Sequence, residues 1–251
     1  MIIIYKLMKK KIDLSPNCSK KSRIKKHIIF VIIHYTGMQS EIESLKRLKN
    51  PKSKVSAHYL INRRGFITQM VKDEKIAWHA GKSKWKNYKN LNKNSIGIEL
   101  VNKGHKFGYQ NFTKIQIRNL LRLCKFLKKK FKISRENFLG HSDIAPLRKI
   151  DPGEKFPWKV MSEHNCGIWY KKGRKGINYS NKKKMQNIFF KNIFKIGYRY
   201  FSVKIRRKND RHIIKTFQQR YLPRKVTGKI DQKTLEISSL LANKVFLEKS
   251  N

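Results

Sequence analysis

Short stretches of this 251-residue chain carry residue types able to do hydrolytic chemistry. His34 follows directly on the apolar run Ile28-Ile29-Phe30-Val31-Ile32-Ile33. A second histidine and two carboxylates lie in Gly140-His141-Ser142-Asp143-Ile144-Ala145-Pro146-Leu147-Arg148-Lys149-Ile150-Asp151-Pro152-Gly153. Pro146 and Pro152 disfavour helix and predict an extended piece, in which Lys149 and Asp151 point to one side because the side-chain period is two. Two histidines and an aspartate around zinc leave a fourth position for water, the open arrangement of a catalytic rather than a structural site. Glu99, near such a metal, has the chemistry to take a proton from water. Taken alone, His34 also fits a partly buried histidine with a satisfied hydrogen bond, and Glu99 an exposed strand carboxylate. The irregular ligand spacing does not decide the matter by metal rules alone.

Those groups need elements to hold them. Residues 28–33 are apolar at every position, which suits a strand buried on both faces, and His34 then stands at the carboxyl end where open α/β sheets place their ligands. Residues 95–101 alternate instead, with Ile96, Ile98 and Leu100 on one face and Ser95, Gly97, Glu99 and Val101 on the other. Gly97 leaves room on the Glu99 face for a close neighbour. Residues 57–61 and 66–71 read as a strand pair joined by the turn Asn62-Arg63-Arg64-Gly65, and residues 41–48 as a short helix. Thr113 with Gln116 has the pattern of a capping box. After it Ile117, Leu120, Leu121, Cys124, Leu127 and Phe131 recur at helical spacing. Strands mixed with helices around one buried strand predict an α/β domain over residues 27–170. Residues 1–26, polar and basic around Pro16-Asn17, read as a mobile entry segment. Residues 171–185 read as a linker, and residues 186–248 as a small module of three short helices near 188–194, 213–217 and 235–246.

Composition narrows the function classes. Lys and Arg number 61 against 15 Asp and Glu, a formal charge of +46 that excludes a strongly basic partner and favours an acidic one. The excess is spread from Lys9 to Lys249 alongside many Asn and Ile, so it equally fits a uniform compositional bias. No nucleic-acid recognition motif accompanies it, and no specific nucleic acid is expected. Three cysteines without a CxxC pair give neither a disulfide framework nor a cysteine-rich zinc site. The longest apolar run is far short of the roughly 20 residues needed to span a bilayer. Met1-Ile2-Ile3-Ile4-Tyr5 is too short for a signal h-region, with its lysines on the wrong side. A soluble, unexported chain is expected on these grounds.

Five motifs occur in order: His34-Tyr35-Thr36; Ser56-Ala57-His58-Tyr59; Ala77-Trp78-His79-Ala80-Gly81; Asn94-Ser95-Ile96-Gly97-Ile98-Glu99; and Gly140-His141-Ser142-Asp143-Ile144-Ala145-Pro146 with Lys149-Ile150-Asp151-Pro152-Gly153. Together they resemble the zinc-dependent N-acetylmuramoyl-L-alanine amidases of the amidase type 2 family over about residues 26–170. The resemblance implies a central mixed β-sheet flanked by helices. It implies one Zn2+ held by His34, His141 and Asp151, with Glu99 as general base and Lys149 as transition-state stabiliser. His79 and Trp78 match substrate-side positions; His58 is expected to be a core or supporting histidine. The implied partner is peptidoglycan or anhydro-muropeptides, and the implied role is bacterial cell-wall degradation or recycling. The alternative on the same fold is a non-catalytic peptidoglycan-recognition protein, which would lack a metal ligand.

The C-terminal module is similar to the three-helix peptidoglycan-binding domain, on residues 213–221 and 228–235. Phe217 and Leu235 are expected in its core, and Asp231 is expected to cap the last helix after a turn at Gly228. A wall-binding module favours the cell envelope, whereas the missing signal peptide favours the cytoplasm. His27, His105, His164 and His212 lack a partner motif and read as surface residues.

Overall fold

The computed structural model describes residues 10–171 and 181–247. The chain forms β1 (Lys10–Ile12), β2 (Phe30–Tyr35), α1 (Glu41–Lys49), β3 (Tyr59–Ile61), β4 (Ile67–Gln69), β5 (Lys84–Trp85), β6 (Tyr88–Lys89) and β7 (Ser95–Leu100). There follow α2 (Lys114–Phe131), β8 (Phe138–Gly140), α3 (His141–Ile144), α4 (Trp158–Glu163), α5 (Lys182–Ile196), α6 (Asp210–Tyr221) and α7 (Gln232–Leu247). Six strands make a mixed sheet in the order β1-β4-β3-β7-β2-β8, and β5 and β6 form a separate hairpin. Only β3 and β4 run antiparallel within the large sheet; the other neighbours are parallel. This is the expected central mixed sheet with helices on its faces.

The apolar run of β2 is explained by what covers it. Val31 and Ile33 pack with Ile96, Ile98 and Leu100 of β7 and with Leu120, Cys124 and Leu127 of α2. Phe30 and Ile32 face the other way, into a cluster with Phe189 and Phe190 of α5 and Phe217 of α6. A strand with an apolar layer on each side has no wet face, so no position alternates. The second layer is supplied by the C-terminal helices, each longer than its apolar stretch suggested. Phe217 and Leu235 are buried, Asp231 Oδ1 accepts the Thr234 N–H at 2.8 Å, and Gly228 takes φ +71°.

Helix α2 begins as its sequence predicts, with Thr113 Oγ1 accepting the Gln116 N–H at 3.2 Å. The capping box is not closed. The Gln116 amide instead donates to Ile61 O at 3.0 Å and Val101 O at 3.2 Å, fastening α2 to the ends of β3 and β7.

Two expectations need correction. The entry segment is not mobile over residues 10–26. β1 pairs with β4 at the sheet edge, and Asn17 Nδ2 donates to Asn50 O and Val55 O, each at 2.9 Å. Arg23 donates to Ser95 O at 2.7 Å and Asp73 O at 3.0 Å. Its polar side chains donate to carbonyls of the neighbouring loops and of β7. Residues 140–153 are also not extended. Pro146 ends α3 rather than preventing it, and the chain then folds back, with the Lys149 N–H on Ala145 O at 3.0 Å and the Ser142 N–H on Asp151 O at 2.8 Å. Of the expected linker, residues 172–180 lie outside the described residues, and from Lys182 the chain is helical, capped by Asn181. No helix among the described residues is long and apolar enough to cross a membrane.

Candidate metal centre and catalytic cleft

Three parallel strands, β7, β2 and β8, end side by side. His34 is the fifth residue of β2 and lies in register with Glu99 of β7, while His141 begins α3 immediately after β8. Asp151 reaches the same point from the folded-back loop. His34 Nδ1 and His141 Nδ1 are 2.9 Å apart, and Asp151 Oδ2 is 3.0 Å from the first and 3.1 Å from the second. All three residues are buried, and among the described residues they form the group suited to hold a metal ion.

Hydrogen bonds behind the histidines fix which ring nitrogen faces the centre. Ser95 Oγ donates to Leu91 O at 2.6 Å, which leaves its lone pair to accept the His79 Nε2–H at 3.2 Å. His79 Nδ1 is then an acceptor, 3.0 Å from His34 Nε2, so His34 donates there and its Nδ1 is bare. His141 Nε2–H donates to Ala80 O at 3.2 Å, and its Nδ1 is bare too. Two bare nitrogens and a carboxylate oxygen at these separations repel one another unless a cation lies among them. The donor set, a carboxylate and two imidazoles that outer hydrogen bonds orient, suits zinc with room for a further ligand.

The electrostatics agree. Burial, then the neighbouring His141, holds the His34 imidazole down to about 4, with Asp151 opposing, so it is neutral and able to ligate at neutral pH. Burial works against ionisation of Asp151, but in the metal-free pocket a proton held on His141 or His34, in the place a metal cation would take, outweighs it and keeps the carboxyl well below the usual range. Glu99 is pushed up to about 8, first by burial and then by the Asp151 charge, while Lys149 and Arg47 pull it the other way. Its Oε2 is buried and has no hydrogen-bond partner among the described residues. A carboxyl poised near neutrality and aimed into a cleft is suited to proton transfer.

The cleft above these groups measures ≈ 640 Å³ and includes His34, Glu99, His141, Lys149, Asp151 and Trp78. Arg47 of α1 and Lys106 add cationic walls, and Phe107 and Met38 apolar ones. Lys149 and Asp151 thus share the cleft although the segment is not extended. Trp78 lines it and is half-buried, as a substrate-side residue must be. His79 lines the cleft as well, but it is only 9% exposed and both its ring nitrogens are engaged by His34 and Ser95. A Cβ at Gly97 would lie 2.4 Å from His79 Cγ, so the close neighbour that Gly97 admits is this ring. His58 is fully buried, its Nδ1 accepting the Gly97 N–H at 3.0 Å, in line with a core or supporting role.

One histidine read as a surface residue is exposed and also belongs to the cleft. His105 lines it, accepts from Tyr35 OH at 2.9 Å and donates to Glu154 Oε2 at 3.1 Å. Its ring stacks on Tyr109 with centroids 4.3 Å apart. The partners lie 70 and 49 residues away in sequence, and no local motif signals them.

The comparisons with known proteins fall on this architecture. The sequence profile of the N-acetylmuramoyl-L-alanine amidase family matches residues 24–154. The chain is 32% identical to N-acetylmuramoyl-L-alanine amidase AmiD of Escherichia coli K12, over 85% of this chain and 82% of that protein. It is 43% identical to 1,6-anhydro-N-acetylmuramyl-L-alanine amidase AmpD of Haemophilus influenzae, over 42% of this chain and 56% of the relative. A solved E. coli AmiD, in complex with the substrate anhydro-N-acetylmuramic acid-L-Ala-D-gamma-Glu-L-Lys, superposes with a TM-score of 0.76 at 29% identity, covering 90% of this chain and 92% of that one. With its sheet, its cleft and its five ordered motifs, this chain belongs to the type 2 N-acetylmuramoyl-L-alanine amidase family.

Proposed function

We propose that the protein is a zinc-dependent hydrolase that cuts the amide between the lactyl group of N-acetylmuramic acid and L-alanine. Its substrate is peptidoglycan or a muropeptide released from it. The observation that carries the metal reading is the convergence of His34 Nδ1, His141 Nδ1 and Asp151 Oδ2, the two ring nitrogens left free by the outer hydrogen bonds of their histidines. The complex of the AmiD relative with an anhydro-muropeptide supports muropeptides as ligands of the cleft. We assign the chemistry to residues 27–170, and residues 186–248 to a peptidoglycan-binding-like module.

His34, His141 and Asp151 would hold one Zn2+. Zinc in such a site makes water nucleophilic at neutral pH and polarises a carbonyl. Glu99 takes the proton released as water adds to the amide carbon. The Lys149 ammonium faces the oxygen on which negative charge collects; one such donor is typically worth about 3 kcal/mol. Glu99 then returns the proton to the leaving nitrogen as the C–N bond breaks. The products are the lactyl carboxylate and a peptide with a free L-alanine amine. Trp78 is placed to pack against sugar or peptide.

The test is to incubate the purified protein with intact sacculi and with soluble muropeptides, with and without a chelator, and to weigh the products by mass spectrometry. Release of unmodified stem peptide, its loss with chelator and its recovery with zinc are expected. His141→Ala and Asp151→Ala should lose zinc and turnover together; full turnover in either variant would remove the ligand assignment.

A further inference from the structure

The C-terminal helices reach the metal centre through one buried carboxylate. Asp143 is the third residue of α3, two positions after His141, and is 1% exposed. Its Oδ2 accepts the Gly140 N–H at 2.8 Å, which pins the junction where β8 turns into α3 and sets the direction of the His141 side chain. The same oxygen is paired with Arg220 Nη1 of α6, and its Oδ1 accepts the hydroxyl of Tyr198 at 2.6 Å. Arg220 also donates through Nη2 to Phe138 O, at the start of β8, at 3.0 Å. Its guanidinium lies 3.8 Å from the ring centroid of Trp158. Arg220 is 3% exposed and Tyr198 0%.

An ion pair this dry carries a large desolvation cost and is a poor way to glue two modules together, since packed apolar residues would hold as well. What it does supply is geometry. One guanidinium grips β8 at Phe138 and, through Asp143, at Gly140, so the strand end that launches His141 is clamped at both sides. Apolar neighbours follow the same path: Leu139, Ile144 and Ala145 share one buried cluster with Phe217 and Tyr221.

We propose that Arg220 of α6 and Tyr198 of the loop after α5 are positioning residues for the metal site, acting through Asp143 on the β8–α3 turn that presents His141. The helical module is then a working part of the hydrolase centre, whatever it does at the wall. The inference rests on His141 being a metal ligand.

Zinc affinity of the full-length protein, measured by competition with a fluorescent zinc chelator at fixed pH well below the melting temperature, tests it without recourse to activity. Arg220→Met should weaken zinc binding by about 10-fold or more, the usual scale for loss of an outer partner of a ligand. Arg220→Lys should recover part of that loss, because an ammonium restores the charge without the two-pronged grip. Tyr198→Phe removes a single hydroxyl and should cost about threefold with the far-ultraviolet spectrum unchanged. Wild-type zinc affinity in folded Arg220→Met would overturn the proposal. Should Arg220→Met fail to fold, wild-type affinity in Tyr198→Phe would overturn it. A wild-type protein that takes up no zinc removes the metal assignment itself, an outcome distinct from variants that bind as well as wild type.

Discussion

Among individual residues, the three ligand candidates were legible because each has a local reason to be where it is. His34 ends an all-apolar strand, and His141 and Asp151 sit in one segment framed by glycines and prolines. The role of His79 was not legible. Trp78 and His79 are adjacent and both line the cleft, yet His79 also backs His34, and only the chain of hydrogen bonds through Ser95 and Leu91 tells them apart. Glu99 gives the sharpest expectation at this scale. Its native pKa near 8 lies above the ordinary 4.5 of a glutamate, so between these values the native state holds a proton that the unfolded chain has released. The stability from this group is complete below about pH 4.5 and is lost as pH rises through about 8. Glu99→Gln has no proton to lose. In the metal-free protein its stability relative to wild type should therefore rise across that window, by on the order of 2 kcal/mol once partial exposure is allowed for. Urea titrations at pH 5 and pH 9 check this; a variant-to-wild-type difference that does not change with pH would show that Glu99 ionises freely. With zinc and substrate supplied, the same variant should keep its metal and lose roughly 100-fold or more in rate.

Individual strands and helices were legible where burial is two-sided or strictly alternating. β2, β7 and α2 fall where their patterns place them, because each pattern reports a continuous apolar contact on one or both faces. β1 escaped notice because it has only three residues, is held by pairing along one edge and shows no apolar period. The folded-back loop after α3 escaped notice for a different reason. Proline rules speak about the residues at and before proline, and nothing local reports that Ser142 and Asp151 are bonded across the loop. The β7–His79 contact permits a test at this scale. Gly97→Ala puts a methyl 2.4 Å from His79 Cγ, against a ring that backs His34. The ring must move, at about 1–3 kcal/mol for overpacking, and His34 Nε2–H loses its acceptor. A melting temperature lowered by several degrees together with about 10-fold weaker zinc binding is expected. Thermal melts and chelator competition on the same sample would expose an error if stability fell while zinc affinity held.

For the molecule as a whole, the layered core and the charge pull in opposite directions. The C-terminal helices are part of the sheet's packing, since Phe30 and Ile32 of β2 are covered by residues of α5 and α6, so the helical module adds to the cohesion of the hydrolase sheet. The sequence showed three apolar stretches but not that their partner was the far face of β2, because apolar pattern names a buried face and not what buries it. Against this cohesion stands a formal charge of +46. Even with every one of its 15 carboxylates paired, 46 cations remain without an anion in the chain, and some carboxylates are spent on buried contacts such as the Asp143–Arg220 pair. Like charges crowded on a compact surface destabilise it relative to the expanded chain, and salt screens them over about 10 Å at 0.1 M. The melting temperature should therefore climb by several degrees between about 0.02 and 0.3 M sodium chloride, where screening changes fastest. The buried pairs, out of reach of the ions, give no compensating loss. If the curve is flat or falls, the excess lysines are too dispersed to repel one another appreciably, and the charge is stability-neutral composition. The cleft offers a second reading of the same titration. Arg47, Lys106 and Lys149 line the cleft and a muropeptide bears peptide carboxylates, so on the proposed function KM for a soluble muropeptide should rise with salt while kcat stays level, a split that general surface repulsion cannot produce.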